Sequence, residues 1–120
     1  MTIKQVNSGI VSILLFCCIS ILGSISVASA DAIADGKKVA TDRKKGNCLG
    51  CHMMGDGILP GNIGPPLIAM KARFPDKAKL RAQIWDPTAA NPNTIMPPFG
   101  KHRILTEKEV DLVTEYVYTL

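Results

Sequence analysis

The spacing of hydrophobic and charged positions predicts four helices between residue 31 and the end of the chain. The first runs from Asp31 to Lys45. Acidic residues lie in its first turns and Arg43 to Lys45 in its last turn, the order that the helix dipole favours. Gly36 lies mid-helix, where glycine costs stability relative to alanine, so either another helix approaches there or the glycine is simply tolerated. A short helix is predicted over Leu67 to Arg73.

Two stronger helix signals follow. The segment from Asp76 to Asp86 starts behind a proline, carries Leu80 and Ile84 four residues apart, and ends before Pro87. The last helix opens with the capping box Thr106 to Glu109. One face of this helix is predicted to carry the apolar residues Val110, Val113, Val117 and Leu120.

The segments between these helices are predicted to be loops. Met53 to Gly64 is rich in glycine and proline. Asn91 to Gly100 contains three prolines at spacings that no regular element accommodates, so it is a stiff, extended loop with Met96 in its middle. The sequence has no strand pattern around the cysteines and no internal repeats. We therefore expect one small domain built from helices and loops.

Residues 1–30 have the pattern of a secretory signal peptide. Lys4 is their only charge, an apolar run spans Ile10 to Val27, and Ala28 to Ala30 forms a small-x-small cleavage site. We expect cleavage after Ala30, which leaves a mature domain of residues 31–120. Export then places that domain in a periplasm, with no membrane contact in the mature form.

Two alternatives exist for this N-terminal segment. A retained membrane anchor is disfavoured because several serines and Gly23 dilute the apolar run. A lipidated cysteine at Cys17 or Cys18 is disfavoured by the bulky Phe16 before it.

Candidate chemistry is concentrated at Cys48, Cys51 and His52, a Cys-x-x-Cys-His motif. This motif is the attachment signature of c-type haem. The two thiols add to the two vinyl groups on one porphyrin edge, and two intervening residues let a short turn present both sulfurs to it. His52 then falls under the ring centre, where it binds iron. We predict one covalent haem c, with the iron as the bound metal.

A zinc site, a redox dithiol and a structural disulfide each fit the motif less well. A zinc site would need His52 and His102 as ligands, but a histidine directly after its cysteine fits one tetrahedron poorly. A thioredoxin-like dithiol belongs in a βαβ context. A structural disulfide between Cys48 and Cys51 would leave His52 without a role.

The overall charge gives no support for a nucleic-acid partner. Without Lys4 the mature chain has 13 basic and 10 acidic residues, and two haem propionates would lower the net charge from +3 to about +1. The clusters Lys37–Lys38 and Arg43 to Lys45 are typical of a solvated helix face, with a docking patch for an acidic partner as the alternative.

The second axial position of the iron has several candidates: Met53, Met54, Met70, Met96, His102, or no ligand. Met53 and Met54 are too close to His52 to reach round the ring, and Met70 lies in a predicted helix where gap-filling core is its usual role. We favour Met96, because proline rigidity lowers the entropy lost when a weak thioether ligand is held. Methionine opposite histidine raises the reduction potential and closes the iron to substrate, which favours electron transfer.

Two further residues have expected positions near the haem. An axial histidine needs its other ring nitrogen hydrogen-bonded, and we assign that role to the carbonyl of Pro65. Trp85, the only tryptophan, is expected in the core or in the haem wall.

The mature chain resembles the SoxX family, small monohaem cytochromes of the bacterial sulfur-oxidation (Sox) system. The resemblance rests on blocks that cover nearly all of residues 36–120, of which Asn-Ile-Gly-Pro-Pro-Leu (62–67) and Met-Pro-Pro-Phe-Gly (96–100) are the most specific. It implies an all-α, compact class I cytochrome c fold, with Cys48 and Cys51 carrying the haem and His52 and Met96 as axial ligands.

The resemblance also implies partners. SoxX pairs with the haem protein SoxA, and the SoxXA complex, an L-cysteine S-thiosulfotransferase, joins thiosulfate oxidatively to a cysteine of the carrier SoxYZ. This chain would accept the released electrons and pass them to a soluble cytochrome, with no catalytic residue of its own. A free-standing periplasmic electron carrier and a haem sensor with an open sixth position are the alternatives.

Overall fold

The computed structural model describes residues 29–120. The chain divides into two units, Met1–Asp31 and Ala32–Leu120, and all but three of the described residues belong to the second unit. The predicted signal peptide, residues 1–30, lies outside the described residues except for its last two positions, and it stays a prediction.

Helices supply nearly all regular structure in residues 29–120, and the predicted all-α class is confirmed. They are α1 (29–41), α2 (Met70–Arg73), α3 (Lys77–Trp85) and α4 (Glu107–Val117), with 3-10 helices at Cys48–Gly50 and Pro87–Ala89. Within this range the only strand-like pairing is a single parallel bridge between Met54 and Leu67. None of these helices is long and apolar enough to cross a membrane.

The first helix ends earlier than predicted. Residues 43–46 form a turn rather than the last turn of α1. Asp42 causes the break: its side chain accepts a hydrogen bond from the Lys44 backbone N–H (2.8 Å), and its carbonyl accepts from the N–H groups of Lys45 and Asn47 (3.0 Å each). An aspartate that bonds its neighbouring backbone in this way competes with the helix. The prediction of helical Arg43 to Lys45 was therefore wrong.

The second helix is also shorter than predicted. Ala69 has a left-handed backbone (φ 52°), so a helix cannot run through it, and α2 begins at Met70. Leu67 pairs with Met54 in the isolated bridge instead. The prediction of a helix starting at Leu67 was wrong by three residues.

The last two helices agree with their sequence signals. Asp76 caps α3 by accepting from the Ala78 N–H at 2.9 Å. The capping box of α4 is complete, since Thr106 Oγ1 accepts from the Glu109 N–H and Glu109 Oε2 accepts from the Thr106 N–H. α4 ends at Val117, so the prediction of Leu120 on its apolar face was wrong. Leu120 lies beyond the helix, where its carbonyl accepts from the Met70 N–H (3.0 Å).

The core forms where α4 meets α1 and α3. α1 crosses α4 at Gly36, where a Cβ would lie 1.9 Å from the carbonyl oxygen of Leu112, so close helix approach explains this glycine. α3 is joined to α4 at the surface by ion pairs Lys77–Glu115 and Arg81–Asp111. The buried apolar residues are Val39, Ala40, Met54, Met70, Leu80, Ile84, Phe99, Leu105, Val110, Val113, Tyr116 and Val117.

Candidate haem-binding site

A cavity of about 570 Å³ lies between the helices and the loops that the sequence singled out. Its walls are mostly apolar, and its size lies within the range of small-molecule and cofactor pockets. Cys48, Cys51 and His52 all line it, and so do Pro65 and Met96. The apolar part of the lining comes from Ile63, Leu67, Met70, Phe74, Leu80, Ile84, Ile95, Phe99, Ile104, Leu105, Val113 and Val117.

The cysteine motif folds as a tight turn. The Cys48 carbonyl accepts from the N–H groups of both Cys51 (3.1 Å) and His52 (2.9 Å), which winds the 3-10 helix that brings the three side chains to one cavity. Asn47 enters this turn with a left-handed backbone. Burial raises the pKa of Cys48 to about 11, so its thiol is neutral at physiological pH. A Cβ at Gly46 would lie 2.9 Å from the Val39 carbonyl oxygen and 3.3 Å from Cys48 Sγ, so the turn has no room for a side chain there.

The imidazole of His52 is oriented by the segment after it. Its Nδ1 lies 2.7 Å from the carbonyl oxygen of Pro65, the atom that the sequence assigned to it. With Nδ1 as the donor, Nε2 keeps its lone pair for a metal. Gly64 packs against the same ring, because a Cβ there would lie 2.3 Å from His52 Cε1. A glycine is therefore required where the chain passes the ring.

Among residues 29–120, the cavity lining includes three arginine or lysine residues, Arg43, Lys45 and Arg73, and no acidic residue. Arg73 donates from Nη1 to the carbonyl oxygen of Pro66 (2.7 Å), next to the carbonyl that holds His52. Lys45 is paired with Glu109 at 2.5 Å. A positive rim around an apolar cavity suits a flat apolar macrocycle with two carboxylates. Sequence reasoning missed Arg73, since one basic residue at the end of a short predicted helix is not distinctive.

The candidate sixth ligands lie in different surroundings. Met96 is half-buried and lines the cavity, and its N–H donates to Thr94 Oγ1 (3.2 Å). Met70 also lines the cavity and belongs to the buried core, as expected for gap-filling methionine. Met53 is 47% exposed, and His102 is exposed in a turn outside the lining. The structure thus favours a methionine over His102, while ligation by Met96 stays a prediction.

Neither a zinc site nor a disulfide finds support in the described residues. No three histidine, cysteine, aspartate or glutamate side chains in residues 29–120 come together as a metal site. Cys48 and Cys51 are not joined to each other.

Trp85 was expected in the core or in the haem wall. It is partly buried and packs against the core, but it does not line the cavity. Of its two expected places, the structure therefore supports the edge of the core rather than the haem wall.

The fold and this cavity define a class of protein, the c-type cytochromes. Residues 31–117 match the family described as "Cytochrome C oxidase, cbb3-type, subunit III", and the chain belongs to this family of cytochrome c domains. The predicted covalent haem c and the class I cytochrome c fold are thereby confirmed.

Among curated proteins, the chain is similar to an "Uncharacterized lipoprotein" of Aquifex aeolicus (strain VF5), with 34% identity over 84 residues. The aligned part covers 69% of this chain and 40% of the relative, so the chain spans about two fifths of that protein's length. Neither match bears on the resemblance to SoxX.

Proposed function

We propose that this chain is the electron-accepting cytochrome subunit of a SoxXA-type complex. The observation that carries electron transfer is that His52 and Met96 line one apolar cavity, so each axial position of a haem iron would have a candidate ligand within the chain. The Sox assignment is supported by the two most specific sequence blocks. They supply Gly64 and Pro65 beside His52, and the loop that carries Met96.

The haem, when bound, supplies an iron that accepts and releases one electron at a time. Cys48 and Cys51 would hold it through thioether bonds, and His52 would bind the iron with Nδ1 kept on Pro65. The apolar walls would lower the dielectric constant around the iron, which strengthens its interaction with fixed protein dipoles. Arg43 and Arg73 would offset the negative charge of the propionates.

Sulfur chemistry would take place on the partner. Joining a cysteine thiol to thiosulfate forms one S–S bond and releases one proton and two electrons, which this chain would pass singly to a soluble cytochrome. The cysteines among residues 29–120 are Cys48 and Cys51, and both are assigned to the haem. The partner would therefore supply the cysteine that ligates the catalytic haem.

A cytochrome c domain indicates an extracytoplasmic protein, and we propose the periplasm as its compartment. Cleavage after Ala30 would release the domain, whereas a lipid on Cys17 or Cys18 would anchor it. The Aquifex relative is named a lipoprotein, so the lipid-anchored alternative has to be tested. The mass of the mature protein separates the two, because only the anchored form keeps residues 19–30 and an acyl group.

A second candidate is a free-standing carrier that donates electrons to a terminal oxidase, which the family description favours. Exposed apolar side chains at the cavity edge, Ile63 and Ile95 (62% and 77% exposed), are compatible with docking to either partner. In the Sox case we place the SoxA-type subunit at this edge.

Gel filtration of the native periplasmic protein, followed by haem absorbance, tests the proposal. Co-elution with a larger haem protein, and reduction of this haem by thiosulfate and SoxYZ in that fraction, would support the subunit role. Elution alone at the size of a 90-residue domain, with no thiosulfate-dependent reduction when a SoxA-type protein is added, would exclude it.

A further inference from the structure

The loop that carries Met96 meets the end of α3 in an unusually close contact. Gly100 is buried against Trp85, and a Cβ at Gly100 would lie 2.0 Å from Cε3 and 2.2 Å from Cδ2 of the indole. The backbone of Gly100 does not have a positive φ, so the glycine is required for space rather than for conformation. Gly100 therefore fixes how near residues 94–100 can approach α3.

Backbone hydrogen bonds hold this contact in register. The Trp85 carbonyl accepts from the N–H groups of both Gly100 and Lys101 (3.2 Å each). Lys101 Nζ pairs with Asp86 Oδ2 at 2.8 Å, and the other Asp86 oxygen accepts from the Thr88 N–H, which caps the 3-10 helix after α3. The end of α3 thus binds the loop through two backbone hydrogen bonds and one ion pair.

The indole also has a contact on its own helix. The guanidinium of Arg81 lies over its ring, 5.3 Å from the centroid, and Arg81 is held by Asp111 of α4 at 2.5 Å. Ile84, the residue before Trp85, lines the haem cavity, as do Pro97 and Phe99 of the loop. An outward shift of the loop at Gly100 would therefore also move Pro97 and Phe99, which line the cavity.

We propose that Trp85 and Gly100 form a latch that positions the Met96 thioether against the haem iron. Neither residue lines the haem cavity, so both act as positioning residues through the loop between them. The proposal rests on Met96 as the sixth ligand, and so on the proposed function. It adds that the glycine of Met-Pro-Pro-Phe-Gly is required because it packs against the indole.

The test is the variant Gly100→Ala in the haem-loaded protein, with the weak far-red thioether-to-iron band of the ferric form as readout. The added methyl group has to push the loop away from Trp85, so we expect loss of most of this band and a lower reduction potential. Gly36→Ala is the matched control, because its Cβ meets the Leu112 carbonyl at a similar 1.9 Å but at the α1–α4 crossing. It should lower stability and leave the band in the folded protein intact.

A second variant keeps the test decisive if Gly100→Ala accumulates poorly. Trp85→Leu removes the ring that the methyl group would meet, so the double variant Trp85→Leu/Gly100→Ala should recover more of the band than Gly100→Ala shows. A general packing defect would instead make the double variant worse. An unchanged band and potential in Gly100→Ala, or no recovery in the double variant, would overturn the latch.

The wild-type spectrum separates failure of the latch from failure of the proposed function. Wild-type protein without the far-red band would exclude Met96 ligation and the latch with it. If the wild type has the band and Gly100→Ala changes neither the band nor the reduction potential, the latch is excluded while Met96 ligation stands.

Discussion

His52 Nδ1 and the carbonyl oxygen of Pro65 lie 2.7 Å apart, although the two residues are separated by a twelve-residue segment rich in glycine and proline. Arg73 binds the next carbonyl, that of Pro66, from α2. The ring orientation of His52 is thus set by a loop that is itself held by a helix.

Replacing Pro65 by alanine keeps the carbonyl but frees the backbone, and we expect the reduction potential to rise. A weaker hydrogen bond makes His52 a less basic ligand, which disfavours ferric iron. The rise should stay below roughly 60 mV, because a neutral hydrogen bond is worth about 1 kcal/mol and a tenfold change for one electron is about 59 mV. Spectroelectrochemical titration measures it. Pro66→Ala, whose carbonyl faces Arg73, should shift the potential less.

Met96→Ala should abolish the far-red ferric band and lower the reduction potential by a sizeable part of the roughly 0.8 V range that axial ligands span. The thioether stabilises ferrous iron, so its loss favours the ferric state. His102→Ala is the control, because His102 is exposed and outside the cavity lining, and its spectrum should equal that of the wild type. If the band survives in Met96→Ala, another residue is the sixth ligand, and Met70 is the next candidate.

Gly36→Ala separates two opposite expectations for one substitution. Helix propensity alone predicts a gain of about 1 kcal/mol in the free energy of unfolding. The contact with Leu112 predicts a loss of about 1–3 kcal/mol, because the methyl group would meet backbone at 1.9 Å. We expect the loss, measured by urea unfolding. Gly50→Ala meets only the flexible Asn47 side chain at 3.0 Å and should be nearly neutral.

Glu109 makes the free energy of unfolding depend on pH in the acid range. Its hydrogen bond with Lys45, followed by that with the Thr106 N–H, lowers the pKa of Glu109 from 4.5 to about 2. A carboxyl with a depressed pKa stabilises the fold fully above its unfolded pKa. That contribution is lost as the pH falls from 4.5 towards 2.

Glu109→Gln keeps a capping side chain but removes the charge, so its unfolding free energy should fall less steeply over this pH window than that of the wild type. Thr106→Ala is the contrasting variant. Loss of the cap should cost about 1 kcal/mol at neutral pH and leave the acid dependence in place. Identical pH profiles of wild type and Glu109→Gln, measured by urea unfolding, would contradict the assignment.

Charge reversal at Lys44 tests the basic cluster after α1 as a docking patch. Lys44→Glu should slow association with a SoxA-type partner severalfold at low salt, and the effect should shrink as salt is added. Lys45 is a poorer probe, because its ammonium is held by Glu109 and its reversal would also break that pair. Lys79→Glu on α3 carries the same charge change as a control. The association rate is measured by stopped flow. If it is unchanged, the basic cluster is not part of the interface.

Local signals in the sequence identified much of this protein. Cys48, Cys51 and His52 predicted the haem because the chemistry of attachment fixes their spacing. The boundaries of α3 and α4 followed from Asp76 and from the capping box at Thr106, whose hydrogen bonds span no more than three residues. The first two predicted helices were too long, because the Asp42 side chain bonds the backbone that follows it and Ala69 has a left-handed backbone.

The sequence by itself therefore determined the cofactor, the helical class and the capped helix ends, because covalent chemistry, caps and prolines act within a few neighbouring residues. Tertiary structure alone decided what Gly36 and Gly100 pack against, and that Arg73 binds beside the Pro65 carbonyl. These contacts join residues that local sequence signals do not connect. The space that a glycine leaves has no local signature until the surface that fills it, such as the indole of Trp85, is folded against it.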